Sequence, residues 1–225
     1  MKRESTRRPA AGTASRRLPD RLRTLGAAAL SNAELLAVVL ARAPRGSSAL
    51  GYASALLAEA GGITPLLAAT HLGLARSAPL ARLSAARELL LRSMHEQLAG
   101  RQALANPGQV RAYLALLLRD LPSEAFVGVY VDSQHRVISA LELFRGTLSQ
   151  TAVYPREVAR HALRLNASAV ILAHNHPSGV AEPSMADRVL TDALRSALAQ
   201  IDVAVLDHLI VAGNRCVSFA ERGWL

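Results

Sequence analysis

The chain has 225 residues, of which 51% are hydrophobic and 19% charged, and a net charge of +9. This is enough apolar material for a sizeable core in one domain or two, and it argues against disorder over most of the length. The lone cysteine, Cys216, excludes a disulfide framework and a cysteine-based zinc cage and makes a reducing cytoplasm the default expectation. No run of about 18 residues is free of charge, so no membrane span is expected.

The charge is unevenly placed. Residues 1–102 hold 15 basic and 6 acidic side chains, whereas residues 103–225 hold 11 of each, so the whole excess lies in the first half. Such asymmetry suits an acidic partner such as nucleic acid, bound weakly through residues 1–102. It equally suits a solvated basic tail on an arginine-biased composition, since Lys2 is the only lysine. Aromatics at 4% argue against a base-stacking platform for single strands.

Residues 1–17, rich in Arg, Ser, Thr and Pro, read as a disordered basic tail. Residues 18–102 read as a small all-helical domain. Leu25 to Leu40 carries Glu34 and lacks a cleavage-type ending, so it is not read as a secretion signal. Ser31-Asn32-Ala33-Glu34 is a capping-box pattern ahead of Leu35, Leu36, Val38, Val39 and Leu40. Further helices are expected near Ala49–Glu59, after Thr64-Pro65, and over Pro79–Gln97. Asn106-Pro107-Gly108 is a turn signal at the boundary with a second domain, residues 103–225.

In that domain the period changes. Gln109–Asp120 reads as a helix, and Ala125–Val131 (AFVGVYV) as a buried strand. Val137–Phe144 is a second strand, and Pro155 opens a helix reaching Asn166. Ser168–Ala173 is a third strand. Ser184 starts a helix with Val189, Leu190, Ala193, Leu194, Ala197, Leu198 and Ile201 on its apolar side. Val203–Val211 and Cys216–Phe219 complete an α/β layered domain, with Cys216 read as a small buried hydrophobe.

The informative stretch is His174-Asn175-His176-Pro177-Ser178-Gly179, followed by Ser184 and Asp187. Positions i and i+2 of extended chain point to one side, roughly 6–7 Å apart, so His174 and His176 can converge on one ion. Pro177-Ser178-Gly179 turns the chain back, and Asp187 falls in the first turn of the next helix, near the positive end of its dipole. Two histidines and a carboxylate leave one position open, the arrangement of catalytic zinc. Ser184-x-x-Asp187 is also a plain capping box that needs no metal. Asn175 and Ser178 serve the turn or orient the ligands. Asp207 and His208 face opposite sides of a strand, so at most one approaches the metal, and a structural hydrogen bond is the simpler role.

His174-x-His176, seven residues, Ser184, two residues and Asp187 match the motif H-x-H-x7-S-x2-D, and the chain here resembles the JAB/MPN+ (JAMM) metalloproteases. The string HNHPSG resembles the RadC-like branch in particular, as do Gly146-Thr147, Pro155-Arg156-Glu157 and Leu206-Asp207-His208-Leu209-Ile210-Val211. Leu25-Gly26, Leu30–Leu36 and Gly61-Gly62-Ile63 extend the likeness to the first half. The resemblance implies a helix-hairpin-helix-like domain followed by a cytidine-deaminase-like layered JAB domain with a mixed sheet. It implies one catalytic Zn2+ held by His174, His176 and Asp187, with Glu124 as general base and Ser184 as oxyanion donor. Spacing alone does not choose Glu124 over Asp132, Glu142 or Glu157. The implied reaction is hydrolysis of a peptide or isopeptide bond in an unidentified protein or peptide.

The other reading is a DNA-associated module, in a repair or recombination context, with a structural or inactive metal site. The hairpin expected at His71–Arg76 has Gly73-Leu74-Ala75 where the family pattern has a second glycine, and a Cβ there hinders a tight turn. Arg76, Arg82 and the tail leave an electrostatic mode open. A zinc deaminase is excluded by the lack of a P-C-x-x-C element. A serine-hydrolase elbow, an H-E-x-x-H helix and a P-loop lysine are also missing.

Overall fold

The structure is a computed structural model describing residues 11–71, 78–99, 103, 107–146 and 153–225, with backbone alone for 11–17, 70–71 and 78–79. Two compact units divide within one helix, between Arg87 and Glu88. The turn signal at Asn106-Pro107-Gly108 puts the boundary expected from the sequence near residue 102. The proposed hairpin Gly73-Leu74-Ala75 lies outside the described residues.

The first unit contains α1 (Ala11–Leu25), a short 3-10 helix (Ala27–Ala29), α2 (Asn32–Leu40), α3 (Ala49–Ala60), α4 (Ile63–His71) and the start of α5 (Ala78–Leu98). Residues 1–10 of the expected basic tail lie outside the described residues, while Ala11–Arg17 form the first turns of α1. Alanine and arginine are good helix formers, so this composition does not oppose a helix there. The Ser31–Glu34 capping box forms reciprocally at the start of α2, a contact worth about 1 kcal/mol. Leu18, Leu36, Leu40, Ala53, Leu66 and Leu83 make the core of this unit. Several of its arginines are engaged internally, among them Arg21 and Arg82. Arg21 pairs with Glu34, and Arg82 donates to the Leu40 carbonyl at the end of α2.

The second unit adds α6 (Pro107–Leu118), β1 (Ala125–Val131), β2 (Val137–Arg145), α7 (Pro155–Arg164), β3 (Ala169–Asn175), α8 (Met185–Ala199), β4 (Ala204–Ala212) and β5 (Arg215–Ser218). The sheet order is β2-β1-β3-β4-β5. Only β3 and β4 are parallel; the other neighbouring pairs are antiparallel. The expected mixed α/β layers are therefore present. On one face, Val127, Val129, Ile171, Ala173 and Leu209 pack with Leu114 and Leu118 of α6. On the other, Phe126, Tyr130, Val170 and Leu172 pack with Val158 and Ala162 of α7 and Leu194 and Leu198 of α8. Each fully buried leucine contributes about 1.5–3 kcal/mol of transfer free energy. Cys216 is partly buried against the first of these cores.

Two expectations shift. The third strand runs past Ala173 to Asn175, so His174 and Asn175 are strand residues. Val189 and Ala193, expected on the apolar side of α8, are exposed; Thr191 is buried beside Leu194 and Leu198. Among the described residues no single helix is long and apolar enough to cross a membrane, and α3 with α4 would reach that length only across an 86° bend.

Candidate metal centre

The alternation of β3 sorts the site. Val170, Leu172 and His174 face α7 and α8, while Asn175 turns to the opposite face. Just beyond the strand, the N–H of His176 still bonds the Val211 carbonyl of β4 at 2.9 Å, which keeps this end extended. The chain then turns through Gly179, at φ 78°, and reaches α8. Ser184 caps that helix. Its hydroxyl accepts from the Asp187 N–H at 3.1 Å and donates to Asp187 Oδ2 at 2.7 Å, and its own N–H donates to the same oxygen at 2.7 Å. The expected capping box thus exists, and it holds the Asp187 carboxylate against the strand end.

His174, His176 and Asp187 come together, with one ligand atom from each lying within 4.8 Å of the others. The two Nε2 atoms are 3.0 Å apart. His174 Nε2 lies 3.1 Å from Asp187 Oδ1, and His176 Nε2 lies 3.4 Å from Oδ2. A tetrahedral zinc with Zn–N of about 2.0–2.1 Å separates its ligands by roughly 3.3 Å, so these donors already stand near coordination spacing. The opposite ring nitrogens are occupied. His176 Nδ1 faces the Val180 carbonyl at 2.8 Å, and His174 Nδ1 faces His208 Nε2 at 2.8 Å. A carbonyl only accepts, so His176 carries its proton on Nδ1 and, when neutral, aims a lone pair at the centre. A carboxylate and two imidazole nitrogens packed this closely form a donor set that fits a metal ion.

The electrostatics agree. Burial favours the neutral acid of Asp187, but its contacts with the His174 and His176 rings and with Ser184 outweigh it and hold the carboxyl well below the usual carboxylate range. The hydrogen bond to Asp187 raises the His176 pKa against the opposing effect of burial, with smaller help from the Val180 carbonyl and the Glu124 charge. His208 is fully buried and its pKa falls well below that of a free histidine, mainly through desolvation.

Glu124 sits immediately before β1 on the wall of a cavity of about 580 Å³ that opens onto the cluster. Its backbone carbonyl accepts from the Gly146 N–H at 2.7 Å. Phe126, Val153, Val180 and Leu190 form the apolar part of the wall, and Ser178 and Glu182 add polar groups. The cavity thus gathers Glu124, His174, His176, Ser184 and Asp187. The other carboxylates left open by spacing, Asp132, Glu142 and Glu157, are not among its lining residues; each is paired with an arginine. Asn175 is buried and bonded to the segment ahead of β1. Asp207 bonds Ser218 Oγ at 2.7 Å and the Ala220 N–H at 3.0 Å, while His208 is the one of that pair that approaches the cluster. Thr191 was not read as part of the site. Its sequence signal was its place one turn after Asp187 on the same helix face.

Residues 104–224 match the RadC-like JAB domain, and residues 13–86 match the UPF0758 N-terminal family. A UPF0758 protein of Leptothrix cholodnii is 51% identical over 217 residues, covering 94% of this chain and 98% of that protein. One from Chromobacterium violaceum is 48% identical over 217 residues, covering 94% and 96%. Another, from Halorhodospira halophila, is 50% identical over 211 residues, covering 92% and 94%. A strand–turn–helix that gathers His174, His176 and Asp187, on a sheet matched over nearly the whole second unit, places this chain in the RadC-like JAB domain family, with a UPF0758 N-terminal region ahead of the domain.

Proposed function

We propose that this protein is a zinc-dependent hydrolase of the JAMM type that cleaves a peptide or isopeptide bond. The reading is carried by the convergence of His174, His176 and Asp187 on one point at the floor of an open cavity whose wall includes Glu124. Zinc held there supplies Lewis acidity, which lowers the pKa of water toward ~7 and polarises a carbonyl. The chain's own residues do the rest. Glu124 takes a proton from the attacking water and passes it to the leaving amine. Phe126, Val153 and Leu190 line the approach with apolar surface, which lowers the local dielectric and strengthens the charges beside it. Ser184 fixes Asp187 in the resting state. To donate to an oxyanion its hydroxyl turns away from Asp187 Oδ2 while its lone pair keeps the Asp187 N–H.

The lining also favours an amide over a phosphodiester. Among the described residues the cavity wall carries the carboxylates Glu124 and Asp187, with Glu182 paired to Arg222, and no lysine or arginine lines it, so an anionic phosphate would meet charges of its own sign.

The test combines zinc content with turnover of fluorogenic peptide and isopeptide libraries. The wild-type chain should hold one zinc. His174→Ala and Asp187→Ala should lose it. Glu124→Gln should keep it and lose about 10²–10⁴-fold in turnover. Full activity in Glu124→Gln would remove the general-base role, and stoichiometric zinc in His174→Ala would remove the ligand assignment.

A second reading is favoured by the charge of residues 1–102: a DNA-associated module whose metal site is structural or inactive. Duplex binding should then weaken steeply with salt, and deletion of residues 1–17 shows whether the tail alone is responsible.

A further inference from the structure

We propose that His208 and Thr191 are positioning residues. They form a one-way hydrogen-bond relay that fixes His174 as the Nδ1–H tautomer and so turns its Nε2 lone pair toward the metal. The inference rests on the reading of His174 as a ligand and extends it to residues outside the H-x-H-x7-S-x2-D pattern.

The direction of the relay follows from its anchored end. Thr191 Oγ1 lies 2.6 Å from the Asp187 carbonyl oxygen, one turn back in α8. A carbonyl has no proton to give, so the threonine hydroxyl must donate to it. That leaves the hydroxyl oxygen only lone pairs for its second neighbour, His208 Nδ1, also at 2.6 Å. His208 therefore carries its proton on Nδ1. Its ring is wholly buried between Phe126 and Phe219, with centroid separations of 5.4 and 4.9 Å, and a ring so enclosed is held neutral. A neutral ring protonated on Nδ1 has a bare Nε2, and that atom faces His174 Nδ1 at 2.8 Å. One proton must lie between them, and only His174 can supply it. His174 Nε2 is then left as a lone pair, 3.0 Å from His176 Nε2 and 3.1 Å from Asp187 Oδ1.

The relay closes on itself. It begins at the backbone of Asp187, passes through α8 and β4, and ends at the nitrogen that meets the Asp187 carboxylate. Ligand orientation and the seating of α8 on the sheet are thereby one structure. The partner that usually orients a metal-binding histidine is a carboxylate, a carbonyl or water, and its loss costs about 10–100-fold in metal affinity. Here that partner is a second imidazole, brought alongside by the parallel pairing of Leu172 in β3 with His208 in β4.

Two measurements on the full chain test this. The first needs no metal. Ring-nitrogen NMR of histidine-labelled, metal-free protein should find His174 and His208 both protonated on Nδ1. The second is competition with a chromophoric chelator for zinc, with cobalt absorption reporting ligand geometry. His208→Phe, which fills the site but cannot accept, should bind zinc about 10–100-fold more weakly and alter the cobalt spectrum. His208→Gln, whose amide oxygen can accept from His174, should recover most of that loss. Thr191→Val should fall between wild type and His208→Phe. Should His208→Phe fail to fold, Thr191→Val and the wild-type tautomers decide the question. Equal zinc affinity in wild type and His208→Phe, or an Nε2–H tautomer on His174, overturns the relay while leaving the ligand assignment standing. A wild-type chain that shows the stated tautomers and takes up no zinc overturns the ligand reading, and the relay's role falls with it.

Discussion

The side-chain oxygen of Asn175 accepts a hydrogen bond from the backbone N–H of Ala125 at 2.8 Å, tying the residue after His174 to the residue after Glu124. The amide nitrogen of Asn175 donates to the Ser123 carbonyl at 3.1 Å and, more weakly, to the Leu121 carbonyl at 3.4 Å. One buried amide thus fixes the segment that carries the proposed general base against the strand that carries a proposed ligand. Asn175→Ala leaves a buried N–H and carbonyl without these partners, so stability should fall by about 1–3 kcal/mol in denaturant titrations. Because Asn175 points away from the face that bears His174, zinc affinity should change far less than turnover. A variant as stable and as active as wild type would show that this contact positions nothing.

What the sequence made legible, and what it hid, follows from how far apart the partners lie. AFVGVYV could be read as β1 without error because both faces of the strand are buried, which leaves an uninterrupted apolar run. His174, His176, Ser184 and Asp187 were legible because one strand, one turn and one helix start bring them together, and local geometry sets their distances. The end of β3 was read two residues early because His174 and Asn175 are polar and buried, and hydrophobic patterning does not register a polar side chain satisfied in the interior. His208 was harder still. Its place depends on the register of a parallel strand pair that includes an irregularity between Val170 and Ile171. Thr191 interrupts the apolar pattern of α8 with a polar side chain, and only its hydrogen bonds explain why it lies inside while Val189 lies outside.

Metal uptake should depend on pH through His176. Its contact with Asp187 raises its pKa above the ordinary value of about 6.5, so the metal-free ring stays protonated to higher pH than a free histidine. Asp187 is held well below the usual carboxylate range and remains charged throughout. Binding must therefore displace the imidazolium proton. Below that pKa, apparent zinc affinity should fall by about tenfold per pH unit for each proton released. Calorimetry in two buffers of different ionisation enthalpy counts these protons. A proton release that does not grow as the pH is lowered toward about 6 would contradict the account.

Gly128, in the middle of β1, is required by close packing rather than by an unusual backbone angle. A Cβ built there would lie 3.0 Å from Leu143 Cδ1 and 3.0 Å from the Tyr130 ring. Tyr130 has little room to give way, since it is fully buried and its hydroxyl donates to the Val158 carbonyl at 3.2 Å. Gly128→Ala should destabilise the second unit by about 1–3 kcal/mol. Adding Leu143→Ala, which removes one of the two obstacles, should lower the cost of the first substitution in a double-mutant cycle. Additive effects would mean that the strain is relieved elsewhere.

Tyr130 also sets a limit at alkaline pH. Burial raises its phenol well above the ordinary value near 10, because the ionised ring would sit in the apolar layer between the sheet and α7. Above about pH 10 the unfolded chain has released the proton, while the folded chain, with its raised pKa, still keeps it. The unfolded state then binds fewer protons, so stability falls as pH rises above about 10, by at most about 1.4 kcal/mol per pH unit from this group. Tyr130→Phe cannot ionise. It should lose about 1 kcal/mol near neutrality, from the hydrogen bond to Val158, and then show a shallower decline above about pH 10 than wild type. Parallel denaturant titrations of the two proteins across that range give the difference directly. Curves that stay the same distance apart from neutral to alkaline pH would show that Tyr130 ionises in the folded chain as readily as in the unfolded one.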